Sequence, residues 1–345
     1  MQKVLGVANA AHSVLGAGVL TSVSEALNKA TGHMVPAWNK YMPKGASPLN
    51  MHPHVPAQAD KGIPRKVVYV PTCVTRIMGP SKSDTEQGER ARESQVLHAA
   101  DSLCSCGLGG QQRPGATASL ACPACCRRAE SVHEKLLSLF AKGGYEVIYP
   151  EGLSSSCCGM MFNSRGFKDA AKVKSDEMEA ALLKASENGK YPIVCDTSPC
   201  LSQIKSALAE PSLRFALYEP VEFIRHFLLD KLEFSKVRDS VAVHVPCSSK
   251  KMGIEESFVK VASLCAENVT NTNIPCCGMA GDRGMRFPEL TGASLQHLNV
   301  QGCSDGYSTS RTCEMSLSNH SGVNFRGLVY LVDEATKAKP AQAQK

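Results

Sequence analysis

From residue 66 onward, short apolar runs alternate with longer stretches of helical period. Lys66-Val67-Val68-Tyr69-Val70, Tyr145-Glu146-Val147-Ile148-Tyr149 and Ile193-Val194 have the look of short buried strands. Ser131 to Lys142 and Phe167 to Asn188 read as helices, with Gly143-Gly144 and Gly189 as their stops. Strands alternating with helices predict βαβ units around a mainly parallel sheet, and hence an α/β fold. Ahead of this region the texture differs. Val4 to Leu27 predicts an amphipathic helix. It is interrupted by Asn9, His12, Ser13, Ser22 and Glu25, so it offers no apolar run of the roughly 18 to 20 residues that a spanning helix needs. With Lys3 and no arginine, it lacks the pattern of a transit or signal peptide. Residues 34–65 hold Pro36, Pro43, Pro48, Pro53, Pro56 and Pro64 and predict an extended, Pro-rich linker.

Residues 81–130 break the strand–helix rhythm. Ser81-Lys82-Ser83-Asp84, Gly107-Leu108-Gly109-Gly110 and Gly115-Ala116-Thr117-Ala118 mark a surface insertion with no core of its own. Cys104, Cys106, Cys122, Cys125 and Cys126 fall within it. The run from Cys122 to Cys126 resembles a zinc half-site, but no histidine or second Cys-x-x-Cys stands at zinc-finger spacing. The segment is therefore read as a loop with incidental thiols.

Composition changes this picture in one respect. The chain has 345 residues, 20% charged and 43% apolar, enough for one large domain or two without disulfide staples. A formal charge of +6 on scattered basic residues, with one tryptophan and 6% aromatics, argues against a nucleic-acid groove. Sixteen cysteines, however, is a high count, and they come in tight groups such as Cys157-Cys158 and Cys276-Cys277. Consecutive cysteines rarely reach disulfide geometry, so clustered thiols in a chain of this size read as metal or redox ligands.

Their order repeats. Val68-Tyr69-Val70-Pro71-Thr72-Cys73 ending in Met78-Gly79 matches Val243-His244-Val245-Pro246-Cys247 ending in Met252-Gly253. Cys157-Cys158-Gly159-Met160 matches Cys276-Cys277-Gly278-Met279, followed by Arg165-Gly166 and Arg283-Gly284. Thr197-Ser198-Pro199-Cys200 matches Ser310-Arg311-Thr312-Cys313. The interval from Cys73 to Cys157 is 84 positions and that from Cys247 to Cys276 is 29, and the difference is about the size of the insertion.

Each repeated cysteine lies at the end of an expected strand or in the loop beyond it. In open parallel sheets such loops converge on one edge, so distant residues meet there. Consecutive side chains on a regular strand diverge, but Gly159 and Gly278 accept positive φ and let both thiols of a pair face one site. Helix starts after Cys200 and Cys313 would favour thiolate over thiol. Four thiolates per repeat is the ligand set of an iron–sulfur cluster, and zinc takes the same set. Cys265 and Cys303 have no counterpart in the other copy and read as small hydrophobes, while Cys195 is open to either reading.

With these motifs the chain resembles the duplicated cysteine-rich domain found in heterodisulfide reductases and in the iron–sulfur subunits of glycolate oxidase and anaerobic glycerol-3-phosphate dehydrogenase. Pro71-Thr72-Cys73-Val74-Thr75-Arg76-Ile77-Met78-Gly79-Pro80, Cys157-Cys158-Gly159-Met160 with Gly166-Phe167, and Gly306-Tyr307 through Arg311-Thr312-Cys313-Glu314 look more closely like the carboxyl-terminal part of FAD-dependent D-lactate dehydrogenases. The resemblance implies two Rossmann-like repeats, at 66–235 and 236–338, after an amino-terminal helix and linker at 1–65 and before a tail at 339–345. It implies an oxidoreductase's electron-transfer module that takes electrons from a flavin domain and passes them to a downstream acceptor. Its metal ligands would be Cys73, Cys157, Cys158, Cys200, Cys247, Cys276, Cys277 and Cys313, holding iron–sulfur clusters of the 4Fe-4S type. No catalytic residue is implied. FAD belongs on a missing half or on a separate flavoprotein partner, so the chain alone is expected not to oxidise lactate. A reducing intracellular compartment, mitochondrial or cytoplasmic, suits such thiols, as does a peripheral position at a membrane. Where the wider family carries Cys-x-x-Cys, this chain has Thr197 to Cys200 and Ser310 to Cys313, so each repeat has one thiol fewer. Thr197 or Ser310 could be an oxygen ligand in its place, but the expected role of each is to cap the next helix. The alternatives are a zinc-binding structural or interaction module, or the iron–sulfur subunit of a glycolate oxidase or heterodisulfide reductase-like complex.

Overall fold

The computed structural model describes residues 2–51, 65–81, 84 and 130–339. Two four-stranded parallel sheets dominate. The first holds β1 (Arg65–Val70), β2 (Tyr145–Ile148), β3 (Ile193–Cys195) and β4 (Leu217–Tyr218) in the order β2-β1-β3-β4. Between the sheets in sequence comes the short β5 (Leu232–Phe234). The second sheet holds β6 (Arg238–Val243), β7 (Ala266–Asn271), β8 (Asp305–Ser308) and β9 (Asn324–Gly327) in the order β7-β6-β8-β9. A closing strand, β10 (Thr336–Ala338), pairs antiparallel with β5, Thr336 opposite Phe234. The two sheets thus share one topology, and the α/β, mainly parallel expectation holds.

Alternation along the strands explains how each sheet is covered on both faces. In β1, Val67 and Tyr69 point to one hydrophobic cluster and Val68 and Val70 to another. The cluster containing Val67 and Tyr69 also takes in Val241, Val243 and Tyr307 of the second sheet. Between the sheets lie the helices Val132–Lys142, Glu255–Cys265 and Leu328–Ala335, and the short helical turns Pro220–Phe223 and Ile224–Leu228. Their sequences suit the place. Leu136, Leu139 and Phe140 make an apolar stripe, as do Phe258, Val261, Ala262 and Cys265, and Leu328 to Val332 is buried along five successive residues. Ser131 and Glu134 close a capping box at the start of the first of these helices.

Polar contacts tie this shared layer. The Asp333 carboxylate accepts from Lys135 at 2.8 Å, Lys142 at 2.7 Å and Ser138 at 2.6 Å. Arg238 donates to both oxygens of Glu334, at 2.7 and 2.9 Å.

The amino-terminal amphipathic segment forms two helices, Gln2–Leu15 and Ala17–Ala30, broken at Gly16, whose φ is +78°. Its polar side faces the body. The Ser24 hydroxyl accepts from the Trp38 amide at 2.9 Å, and the Asn28 amide donates to the Val35 and Arg286 carbonyls at 2.7 and 3.0 Å. Val14, Val19, Val23 and Leu27 are left on the outside. These contacts satisfy backbone groups that are partly buried where the segment packs on the body and would otherwise lack partners. The described part of the proline-rich segment packs on the protein, Trp38 and Tyr41 being buried, and 52–64 lies outside the described residues. So does 85–129, with all five cysteines of the expected insertion. Among the described residues no helix is long and apolar enough to cross a membrane.

Candidate metal centre

Both sheets turn back on themselves at their first strand, so the loops after β1 and β3, and after β6 and β8, part at the strands' carboxyl ends. Such crevices are where open parallel sheets collect functional groups. Cys73 opens the helix Cys73–Ile77 just beyond β1, and Cys200 is the third residue of the helix Ser198–Ala207 beyond β3. Cys157-Cys158 lies in the loop after β2. The second half repeats these placements. Cys247 opens Cys247–Lys251, Cys313 is the third residue of Arg311–Ser321, and Cys276-Cys277 follows β7.

The glycine after each pair has the expected positive φ, +82° at Gly159 and +76° at Gly278. It also meets a close neighbour. A Cβ on Gly159 would lie 2.7 Å from the Ala171 carbonyl oxygen, and one on Gly278 would lie 2.6 Å from that of Leu290. The turn therefore sits flush against the next helix, with Cys158 and Cys277 buried and Cys157 and Cys276 half-buried.

The structure brings the eight repeated cysteines into two groups of four. In the first, Cys73 and Cys158 each contact Cys157 and Cys200. In the second, Cys276 contacts Cys247 and Cys277, and the Cys277 thiol donates to the Cys313 sulfur at 2.9 Å. Neighbouring thiols share protons unequally. Hydrogen bonds from Cys158 and then Cys73 push Cys157 down to about 2, while Cys158, as donor to Cys157, rises to about 12. The Cys247 thiol, with Cys277 adjoining, pushes Cys276 down to about 2 in the same way. Cys313 falls to about 5, chiefly through the bond from Cys277, with His244 and Ser310 adding to it. In each group one sulfur is thus favoured to carry negative charge, among thiols whose protons a soft metal would displace. Among the described residues no group of three or more His, Cys, Asp or Glu side chains is arranged to hold a single metal ion. The donor chemistry of each group, four convergent sulfurs, fits an iron–sulfur cluster.

A basic residue three positions after the first cysteine of each group ties down the loop that carries the pair. Arg76 donates to the Ser154 and Ser156 carbonyls at 2.6 and 2.5 Å, and Lys250 donates to the Ile274 carbonyl at 3.0 Å. Sequence reading passed over both, although the matching position in the two copies was a signal. Thr197 and Ser310 occupy the N-cap positions but make no cap hydrogen bond, contrary to expectation. Thr197 is instead 2.9 Å from the Thr72 hydroxyl, and Ser310 is turned toward Cys313. Cys265 is core packing, its thiol donating to the Val261 carbonyl one helical turn back. Cys303 lies apart from both groups, against Ser240 and Gln301. Cys195 is fully buried behind the first group, and burial pushes its thiol up.

The two groups adjoin. The Ser248 hydroxyl, one residue past Cys247, donates to the Ser198 hydroxyl at 2.8 Å, two residues before Cys200. Arg165 and Asp282 pair at 2.9 Å across the two loops that follow the cysteine pairs, and Arg283 donates back to the Ser164 carbonyl at 3.3 Å.

Residues 117–205 match the family described as CCG, cysteine-rich domain. That span contains Cys157, Cys158 and Cys200, begins inside the segment read as an insertion and ends before the second copy. The match is consistent with an iron–sulfur electron-transfer module. No curated protein matches the chain.

Proposed function

We propose that each four-cysteine group holds an iron–sulfur cluster of the 4Fe-4S type and that the chain is the electron-transfer module of an FAD-dependent dehydrogenase of D-lactate or another 2-hydroxy acid. The ligands are Cys73, Cys157, Cys158 and Cys200 in one unit, residues 66–235, and Cys247, Cys276, Cys277 and Cys313 in the other, residues 236–338. The observation that carries this reading is the duplication itself, since the same four thiols converge at the same edge of two sheets of identical topology. A bound cluster would supply one-electron storage at each group.

The protein's own residues do the rest. The glycine turns hold each pair toward its site, Arg76 and Lys250 fix the loops before the pairs, and the Ser198–Ser248 contact keeps the two sites side by side. Electrons would come from a flavin on a partner half or subunit and leave to a downstream acceptor. Anaerobic purification followed by iron, sulfide and zinc analysis tests the proposal. A brown protein with iron and sulfide is expected, and a colourless protein containing only zinc would overturn it.

A further inference from the structure

Among the buried residues at which the two sites differ, one lies against the sulfurs of the second. His244 follows β6, its backbone amide donating to the Tyr307 carbonyl at 2.9 Å, and its side chain is fully buried. Nδ1 lies 3.1 Å from the Thr272 hydroxyl oxygen. Nε2 is buried and has no hydrogen-bond partner in the protein. The ring contacts Cys313 and is close enough to Cys276 to act on its charge. A polar atom left unsatisfied at such a depth is costly, so its position beside a sulfur calls for a reason. The matching residue of the first copy, Tyr69, sends its hydroxyl to the Asp196 carboxylate at 2.9 Å and gives the first group no such donor.

We propose that His244 is a positioning residue of the second site, its Nε2–H directed at the Cys313 sulfur, and that this donor makes the second site the easier of the two to reduce. In this arrangement the Thr272 hydroxyl, 3.1 Å from Nδ1, would be the donor there, leaving the proton on Nε2. This rests on the iron–sulfur reading given above. An added electron raises the negative charge on the cluster's sulfurs, and an N–H donor stabilises the reduced form more than the oxidised one. No bond is made or broken; one electron arrives from a reduced flavin or, in the test, from dithionite.

The full chain, purified anaerobically, is assayed for iron and sulfide and then titrated with dithionite under electron paramagnetic resonance. The native protein is expected to show two midpoints. His244→Leu should lower the higher one by about tenfold in the reduction equilibrium, about 59 mV for a one-electron couple, and leave the lower one in place. His244→Gln, which keeps an N–H donor, should recover part of the shift. Native protein without iron would overturn the functional reading. Normal iron with unmoved midpoints in His244→Leu would overturn the inference alone, and loss of half the iron would overturn it too, because His244 would then be a ligand. Should that variant not fold, Thr272→Val carries the test: the same midpoint falls, or the proposal fails.

Discussion

Cys157 and Cys276 are each the half-buried member of a pair, and each lies against two other thiols. Replacing one sulfur by a hydroxyl removes a soft donor and also the proton-sharing that prepares its neighbours. We expect Cys157→Ser with Cys158→Ser, or Cys276→Ser with Cys277→Ser, to cut bound iron by about half, because each pair serves only one of two separate groups. Serine at Cys104, Cys106, Cys122, Cys125 and Cys126 together should leave the iron-to-protein ratio nearly unchanged. Equal loss in both kinds of variant would assign the insertion to the site. The eight repeated cysteines were legible because every one has a counterpart. His244 was not, since its counterpart is Tyr69 and a lone buried histidine carries no pattern. Arg76 and Lys250 were missed for a different reason: a basic residue near a helix end is commonplace until its carbonyl partners are seen.

Secondary structure was most legible where one element has one job. The strands β1, β2 and β3 came out because they are short, apolar and bounded by turns, whereas the more polar β7, β8 and β9 did not, and the helix Val132–Lys142 came out because its cap and stop are both written in the sequence. The amino-terminal segment was harder, since Ser24 and Asn28 turn inward to serve backbone groups that belong to residues well beyond them. Helix starts at Ser198 and Arg311 lie earlier than expected, which places Cys200 and Cys313 inside the first turn, near its free amides. The glycine turns give a test at this scale. Gly278→Ala needs positive φ and meets backbone at 2.6 Å, so a loss of about 3 kcal/mol is expected by chemical denaturation. Gly253→Ala, with φ of +71° but open space around it, should cost only about 1 kcal/mol. Similar losses at both positions would mean that the close approach to Leu290 contributes little.

At the scale of the molecule, the expected boundary at 235/236 falls between β5 and β6, while one hydrophobic cluster runs from Val67 through Tyr307 to Ala335. We expect a single calorimetric transition for the two halves, since neither can expose its inner sheet face without breaking that cluster. Two resolved transitions would contradict this. Asp333 is the polar test of the same seam. Burial by itself would raise its pKa, but Lys135 and Lys142 outweigh burial and hold the carboxyl below the usual aspartate range. The stability this contributes is present above the unfolded aspartate value and is lost as pH falls through the folded one. Asp333→Asn should therefore lower stability at neutral pH by about 2 kcal/mol and flatten its decline on acidification. An unchanged acid limb of the stability curve would show that other carboxylates govern it.

A duplicated segment ordinarily leaves one copy free to drift, but only where the copies do not touch. Here Arg165 reaches Asp282 while Arg283 reaches back to Ser164, so each copy is part of the other's environment. A change in either loop is therefore felt twice. The copies nevertheless differ in the 84-residue against the 29-residue interval before the cysteine pair and in tyrosine against histidine at the end of the first strand. The inheritance of the two copies is thus shared at this contact and separate at those positions, which is how twin sites can stay alike in form while becoming unlike in use.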